Sequence, residues 1–267
     1  MKKIITILSA AVMALALSSC SKKVEKGEFT VQKDKFMVGV EIGYPPMEYF
    51  EEDGKTPAGF DIELAKEIGK RLNLEVVFID TAWDGIFAGL NTNRYDVVMS
   101  AATITEERLQ SFDFSDPYIG NGQTIVVRKD SDLNIKDFSD IKGHKVGYQA
   151  ETTSDFYAKK HAAAENFTYI ENSYDKVMNA YDDLRLKRID LVISDNLVAV
   201  DYLAPEDTPF KSVWLGEADE YFGICVKKGN TVLLEKINAA LEEIKKDGTM
   251  KDLYLKVFKM DLTDSIN

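Results

Sequence analysis

Arg108 follows Thr105-Glu106-Glu107, in which Thr105 reads as a helix N-cap. A guanidinium beside a helix start offers one carboxylate a two-pronged donor, with free backbone N–H groups nearby. The plainer use of the same arginine is a surface ion pair to Glu106, Glu107 or Asp113. A second helix start, Gln149-Ala150-Glu151-Thr152-Thr153-Ser154-Asp155, supplies hydroxyls and N–H donors suited to an anion. Thr152 with Asp155 also reads as an ordinary capping box. Asp195 closes an apolar run, where an acid would hold an ammonium group or cap the helix that follows. Tyr44, in a turn stiffened by Pro45 and Pro46, and Trp83 offer aromatic faces; a loop position and a core position explain them equally well. Taken together, one guanidinium, two helix starts, one carboxylate and two aromatics suit an amino acid zwitterion in charge and number.

These residues share a placement, just after short apolar runs. Strands are predicted at 36–40, 75–79, 96–100, 124–128, 145–148, 167–170, 190–194 and 222–227. Their apolar character points to strands covered on both faces. Phe60, Leu64, Ile68 and Leu72 recur every fourth residue and mark a helix. Leu233, Leu234, Ile237, Leu241 and Ile244 mark another, ended by Gly248. Thr249 is then expected to cap a last helix, with Asp252 at the capping-box position. Alternating strands and helices predict an α/β fold with largely parallel sheets.

The pattern occurs twice. Asn93-Arg94-Tyr95-Asp96-Val97-Val98-Met99-Ser100 is echoed by Lys187-Arg188-Ile189-Asp190-Leu191-Val192-Ile193-Ser194. Trp83-Asp84 precedes the first copy as Tyr174-Asp175 precedes the second, and Val38-Gly39-Val40 answers to Val146-Gly147-Tyr148. Three matches in one order predict two similar α/β lobes. The segment from about Phe222 has no partner and is expected to return to the first lobe. The chain then crosses between lobes near 120–128 and 215–222, which makes a hinge and a cleft. Ligands of open α/β sheets bind at the carboxyl ends of strands, so both cleft walls carry the residues named above.

The chain begins with Lys2, Lys3 and an apolar run from Ile4 to Leu17, a signal-peptide pattern too short for a span of ~20 residues. It ends in Leu17-Ser18-Ser19-Cys20, which looks like a bacterial lipobox and implies cleavage before Cys20 and lipid attachment to its thiol. The polar stretch after it reads as a tether. The expected division is signal peptide 1–19, lipidated tether 20–33, first lobe 34–121 and 219–262, second lobe 122–218. The other cysteine, Cys225, lies in an apolar run and reads as a buried strand residue. A net charge of −12 argues against nucleic acid as a partner. The two histidines, His144 and His161, read as surface residues. No metal-ligand or common catalytic pattern is present, so no cofactor, metal or catalytic residue is assigned.

Gly59-Phe60-Asp61-Ile62-Glu63-Leu64-Ala65-Lys66, Trp83-Asp84-Gly85-Ile86, Thr103-Ile104-Thr105-Glu106-Glu107-Arg108 and Phe112-Asp113-Phe114-Ser115-Asp116-Pro117-Tyr118 resemble the polar amino acid substrate-binding proteins of bacterial ABC importers. The likeness covers about residues 35 to 260. It implies the type II periplasmic binding protein fold: two α/β lobes, a two-strand hinge and the ligand between them. It also implies roles. Arg108 would pair with the α-carboxylate, helped by Thr103 and the amide of Thr153. Asp195 would hold the α-ammonium, with the carbonyl of Ala101. Tyr44 and Trp83 would sandwich the side chain, and Gln149 would line the far end. Glu41 falls where relatives often carry an acid facing the ligand side chain. That favours a cationic ligand (arginine, lysine, ornithine or histidine), with a neutral one such as glutamine as the alternative. The implied partners are an ABC permease and ATPase, with the protein a lipid-anchored monomer outside the cell membrane. A cyclohexadienyl-dehydratase-like enzyme on the same fold is the rival, with Glu41 or Glu48 as its acid or base.

Overall fold

The structure is a computed structural model and describes residues 27–266. The expected signal peptide and Cys20 lie outside the described residues. Of the expected tether, residues 27–33 are described. Thr30 is buried, and the Val31 amide donates to the Asp96 carboxylate at the base of the first lobe.

The first lobe opens with β1 (Lys35–Val40), the short β2 (Tyr49–Phe50) and β3 (Pro57–Ala58), then helix α1 (Phe60–Leu72). Next come β4 (Glu75–Asp80), α2 (Trp83–Asn91), β5 (Val97–Val98), α3 (Glu106–Ser111) and β6 (Phe112–Phe114). A hinge strand, β7 (Ile119–Asn121), leads into the second lobe. That lobe contains β8 (Gln123–Arg128), β9 (Lys145–Gln149), α4 (Thr153–Ala164), β10 (Ile170–Tyr174), α5 (Val177–Arg185), β11 (Leu191–Asp195), α6 (Asn196–Leu203) and β12 (Phe210–Leu215). The chain returns through β13 (Glu220–Phe222) to β14 (Cys225–Lys227), α7 (Thr231–Lys246) and α8 (Thr249–Phe258).

Both sheets have one topology. The first runs β4-β1-β5-β14-β6 and the second β10-β9-β11-β8-β12. In each, the second strand, β1 or β9, pairs in parallel with both neighbours, and the fourth, β14 or β8, enters antiparallel to the central strand. The sheets are therefore mixed rather than largely parallel, because β14 and β8 arrive from the hinge and not through a crossover helix. β7 and β13 pair antiparallel as the two-stranded hinge, Glu220 opposite Asn121.

The C-terminal helices pack on the first lobe: Phe60 of α1 stacks on Tyr254 of α8 at 5.4 Å between ring centroids. Cys225 is fully buried in β14, as its apolar run predicts. Several local expectations change. The strand predicted at 222–227 is split between β13 and β14, and the one at 96–100 is shortened to β5. The strand predicted at 167–170 lies at Ile170–Tyr174, an edge strand, and Phe167 instead packs into the second core. Gly248, at φ 89°, caps α8, so Thr249 is its first residue rather than its cap. Glycine takes that left-handed cap without the Cβ clash a threonine would meet.

Candidate functional site

Eleven residues from both lobes line one cavity in the cleft. The first lobe contributes Glu41 after β1, Tyr44 in the following turn, Trp83 at the start of α2, and Ser100, Ala101 and Thr103 after β5, with Arg108 from α3. The second contributes Gln149 at the end of β9, Thr152 and Thr153 at the start of α4, and Asp195 at the end of β11. All ten residues singled out from sequence line this one cavity; Ser100 is the addition.

Arg108 lies on the cavity wall rather than in a surface ion pair. Its Nη1 donates to the Thr103 carbonyl at 2.8 Å, and its guanidinium sits 4.9 Å and 5.3 Å from the ring centroids of Phe87 and Trp83. Glu106 and Glu107 are exposed, and Asp113 pairs with Lys228 at 2.8 Å. Among the described residues no carboxylate forms an ion pair with Arg108. Desolvation lowers its pKa, and Asp195 and Glu220 are among the more distant charges that offset this. Thr105 caps α3, accepting from the Arg108 amide at 3.2 Å, which fixes the arginine's place on the first turn.

Asp195 occupies the N-cap position of α6, yet its side chain makes no cap bond. Its oxygens turn to the cleft and accept from Tyr44 Oη at 2.6 Å, Asn121 Nδ2 at 2.7 Å and Gln123 Nε2 at 2.9 Å. Burial raises its pKa while these donors pull it back. Thr152 does cap α4, accepting from the Asp155 amide, while Asp155 accepts from the Glu151 amide at 3.0 Å.

Glu41 is buried at 3% exposure. Its Oε2 accepts from Gln149 Nε2 at 2.7 Å across the cleft, and its Oε1 has no donor. Burial raises its pKa; Gln149 and the Lys176 charge oppose the rise. Other bonds also join the walls: Trp83 Nε1 to the Glu151 carbonyl at 3.0 Å, and Lys176 Nζ to the Ile42 carbonyl at 2.8 Å. Thr103 and Thr153 hydroxyls approach to 3.5 Å. The cavity thus has a guanidinium without an ion-pair partner among the described residues, and two carboxylates, Asp195 and Glu41, on its walls. His144 and His161 lie outside it.

Sequence reading missed the hinge polar group. Glu220 accepts from Gln123 Nε2 at 2.9 Å, Asn121 Nδ2 at 3.1 Å and Thr153 Oγ1 at 3.2 Å. Burial, then the charge of Asp195, pushes its pKa up to about 7. The available signal was Asn121-Gly122-Gln123, polar residues inside an apolar stretch at the crossing.

Two mixed sheets of like topology, a two-strand hinge and a polar cavity between the lobes define an extracellular solute-binding protein of the type II periplasmic binding fold. The chain belongs to the bacterial extracellular solute-binding proteins, family 3, whose model matches residues 36–260. It is 34% identical over 257 residues to the L-cystine-binding protein TcyJ of Escherichia coli strain K12, covering 94% of this chain and 95% of that protein. A solved structure of an ancestral arginine-binding protein bound to arginine is 43% identical, with a TM-score of 0.79, covering 85% of this chain and 99% of the other. A solved structure of an ancestral arginine-binding protein bound to glutamine is 43% identical, with a TM-score of 0.79, covering 86% of this chain and 100% of the other.

Proposed function

We propose that this protein captures one amino acid by hinge closure, prefers a cationic side chain, and delivers it to the permease and ATPase of an ABC importer. The observation that carries the preference is Glu41: a buried carboxylate with one oxygen lacking any donor, on the wall of the cavity. A buried acceptor left bare costs about 1–3 kcal/mol, more when charged, and a ligand ammonium or guanidinium would supply the donor. The kinship with an arginine-bound ancestral protein supports the same reading.

Arg108 takes the α-carboxylate, with Thr103 and the amide of Thr153 beside it. Asp195 takes the α-ammonium, with the Ala101 carbonyl, and Tyr44 and Trp83 enclose the side chain. The first lobe, residues 34–121 and 219–262, binds first. The second, 122–218, then closes with Thr152, Thr153, Gln149 and Asp195. Closure removes water and so strengthens each charged contact. The chain works as a monomer without cofactor or catalysis, anchored through Cys20 after removal of residues 1–19. That last reading rests on Leu17-Ser18-Ser19-Cys20.

Calorimetry on ligand-stripped protein, against the twenty amino acids with ornithine and citrulline, tests it. The expected result is tight one-to-one binding of a cationic amino acid. A neutral amino acid or cystine as the tightest ligand removes the preference; no binding across the panel removes the function.

A further inference from the structure

Glu48 and Asp61 are both buried at 0% exposure in the first lobe, behind the cavity rather than on it. Neither forms an ion pair among the described residues. Each has one oxygen in use. Glu48 Oε1 accepts from Ser100 Oγ at 2.6 Å, and Ser100 Oγ in turn accepts from the Glu41 amide at 3.0 Å. Asp61 Oδ2 accepts from the Ala101 amide at 2.7 Å. Each also has one oxygen, Glu48 Oε2 and Asp61 Oδ1, with no donor. Two bare carboxylate oxygens on adjacent, fully buried acids are costly, and one proton between them satisfies both. Tyr118 Oη, which also lacks a partner and faces Asp61, has a single proton to give and would leave Glu48 bare.

We propose that Glu48 and Asp61 form a one-proton carboxyl pair that positions the first-lobe wall of the ligand site, Glu48 donating and Asp61 accepting. Two pieces of that wall hang on the carboxyl groups of the pair, and a third on the Glu48 backbone. The Glu48 carbonyl accepts from the Gly43 and Tyr44 amides at 3.1 Å and 2.8 Å, closing the turn that carries Tyr44. Glu48 Oε1 fixes Ser100, and through it the backbone of Glu41. Asp61 holds Ala101, a non-glycine residue at φ 46°, in a left-handed conformation it would otherwise leave. Gly59 makes the arrangement possible: a Cβ there would stand 2.3 Å from the Met47 carbonyl, so only glycine lets α1 approach the turn. Burial raises both pKa values, Glu48 well above the carboxylate range and Asp61 to about 6, in keeping with the proton on Glu48.

The positioning role rests on the proposed amino acid site; the shared proton does not, and two readouts separate them. Infrared spectra of ligand-free protein at pH 8 should show a protonated-carboxyl carbonyl band that disappears in Glu48→Gln. Glu48→Gln keeps an N–H donor toward Asp61 and an acceptor toward Ser100, so its Kd should stay within about threefold of wild type. Glu48→Ala and Asp61→Ala should weaken binding about tenfold or more. A wild-type spectrum without the band overturns the shared proton. Unchanged Kd in Glu48→Ala, or equal loss in Glu48→Gln and Glu48→Ala, overturns the positioning role. A wild-type protein that binds no amino acid contradicts the functional reading, while its spectrum still decides the proton.

Discussion

Ser100 and Ser194 end the two copies of the internal repeat; Ser100 follows β5 and lines the cavity, while Ser194 is buried in β11. Behind Ser100 stands a carboxyl group, Glu48, at 2.6 Å; behind Ser194 stands a phenol, Tyr181, at 2.8 Å. The same contrast runs through both lobes. Glu41 follows β1 where Gln149 ends β9, and the two meet across the cleft. Behind its wall the first lobe buries Glu48 and Asp61 without an ion pair among the described residues, whereas the second buries Asp155 paired with Lys159, and otherwise hydroxyls and amides; Glu41 and Asp195 are the acids that the two lobes bring to the cavity. One architecture thus supplies two walls of different charge. The lesson is that topology fixes where the site lies, while substitutions at equivalent strand ends decide what each wall would recognise.

The largest expected effect comes from the one cation. Arg108→Ala should weaken every amino acid ligand by at least ~30-fold, since losing one partner of a buried charge pair costs about 2–5 kcal/mol. Calorimetry reads it, and an affinity within threefold of wild type would remove Arg108 from the site. Asp195→Asn should cost about tenfold to a hundredfold on the same scale, from a charged hydrogen bond worth about 1.5–3 kcal/mol.

The paired serines sharpen the comparison directly. Ser100→Ala leaves a buried carboxyl oxygen without its donor and should cost about 2 kcal/mol of stability. Ser194→Ala strips a partner from the Tyr181 hydroxyl and a long 3.4 Å bond from the Asp195 carbonyl, and should cost about 1 kcal/mol. Equal shifts in urea unfolding midpoints would mean that the carboxyl backing has no special weight.

The smallest effect is the pH response. Glu220, at about 7, and Asp61 and Asp96, each at about 6, bind protons more tightly folded than unfolded. Their contribution is therefore complete below about pH 4 and is lost as pH rises through 6 and 7. Ligand-free protein should melt a few degrees lower at pH 8 than at pH 5.5. Asp247 and Asp261, both held at about 2 by hydrogen bonds, act in the opposite sense, but only below about pH 4. A melting temperature that climbs from pH 5.5 to 8 would contradict the buried acids.

Much of this site was legible before the fold. Strand ends in an α/β chain are few, and Arg108, Thr152 and Asp195 stood there with helix-start signals around them. The partners across the cleft were not legible. Tyr44 and Asp195 are 151 residues apart and Glu41 and Gln149 are 108 apart, and no local pattern records such pairs. Glu48 and Asp61 were hidden for another reason. In a chain with 45 acidic residues an acid reads as surface, and Asp61 looks like an ordinary first-turn helix acid until its complete burial is seen. The strand expected at 96–100 is shortened to the two-residue β5, and the one expected at 167–170 shifts to the edge strand β10, because such short ladders leave little apolar periodicity.

The most direct test is a paired titration of wild type and Glu41→Gln with arginine and with glutamine. The account predicts that the substitution weakens arginine about tenfold or more and leaves glutamine within about threefold. Equal loss for both ligands, or no loss for arginine, would show that Glu41 does not select charge.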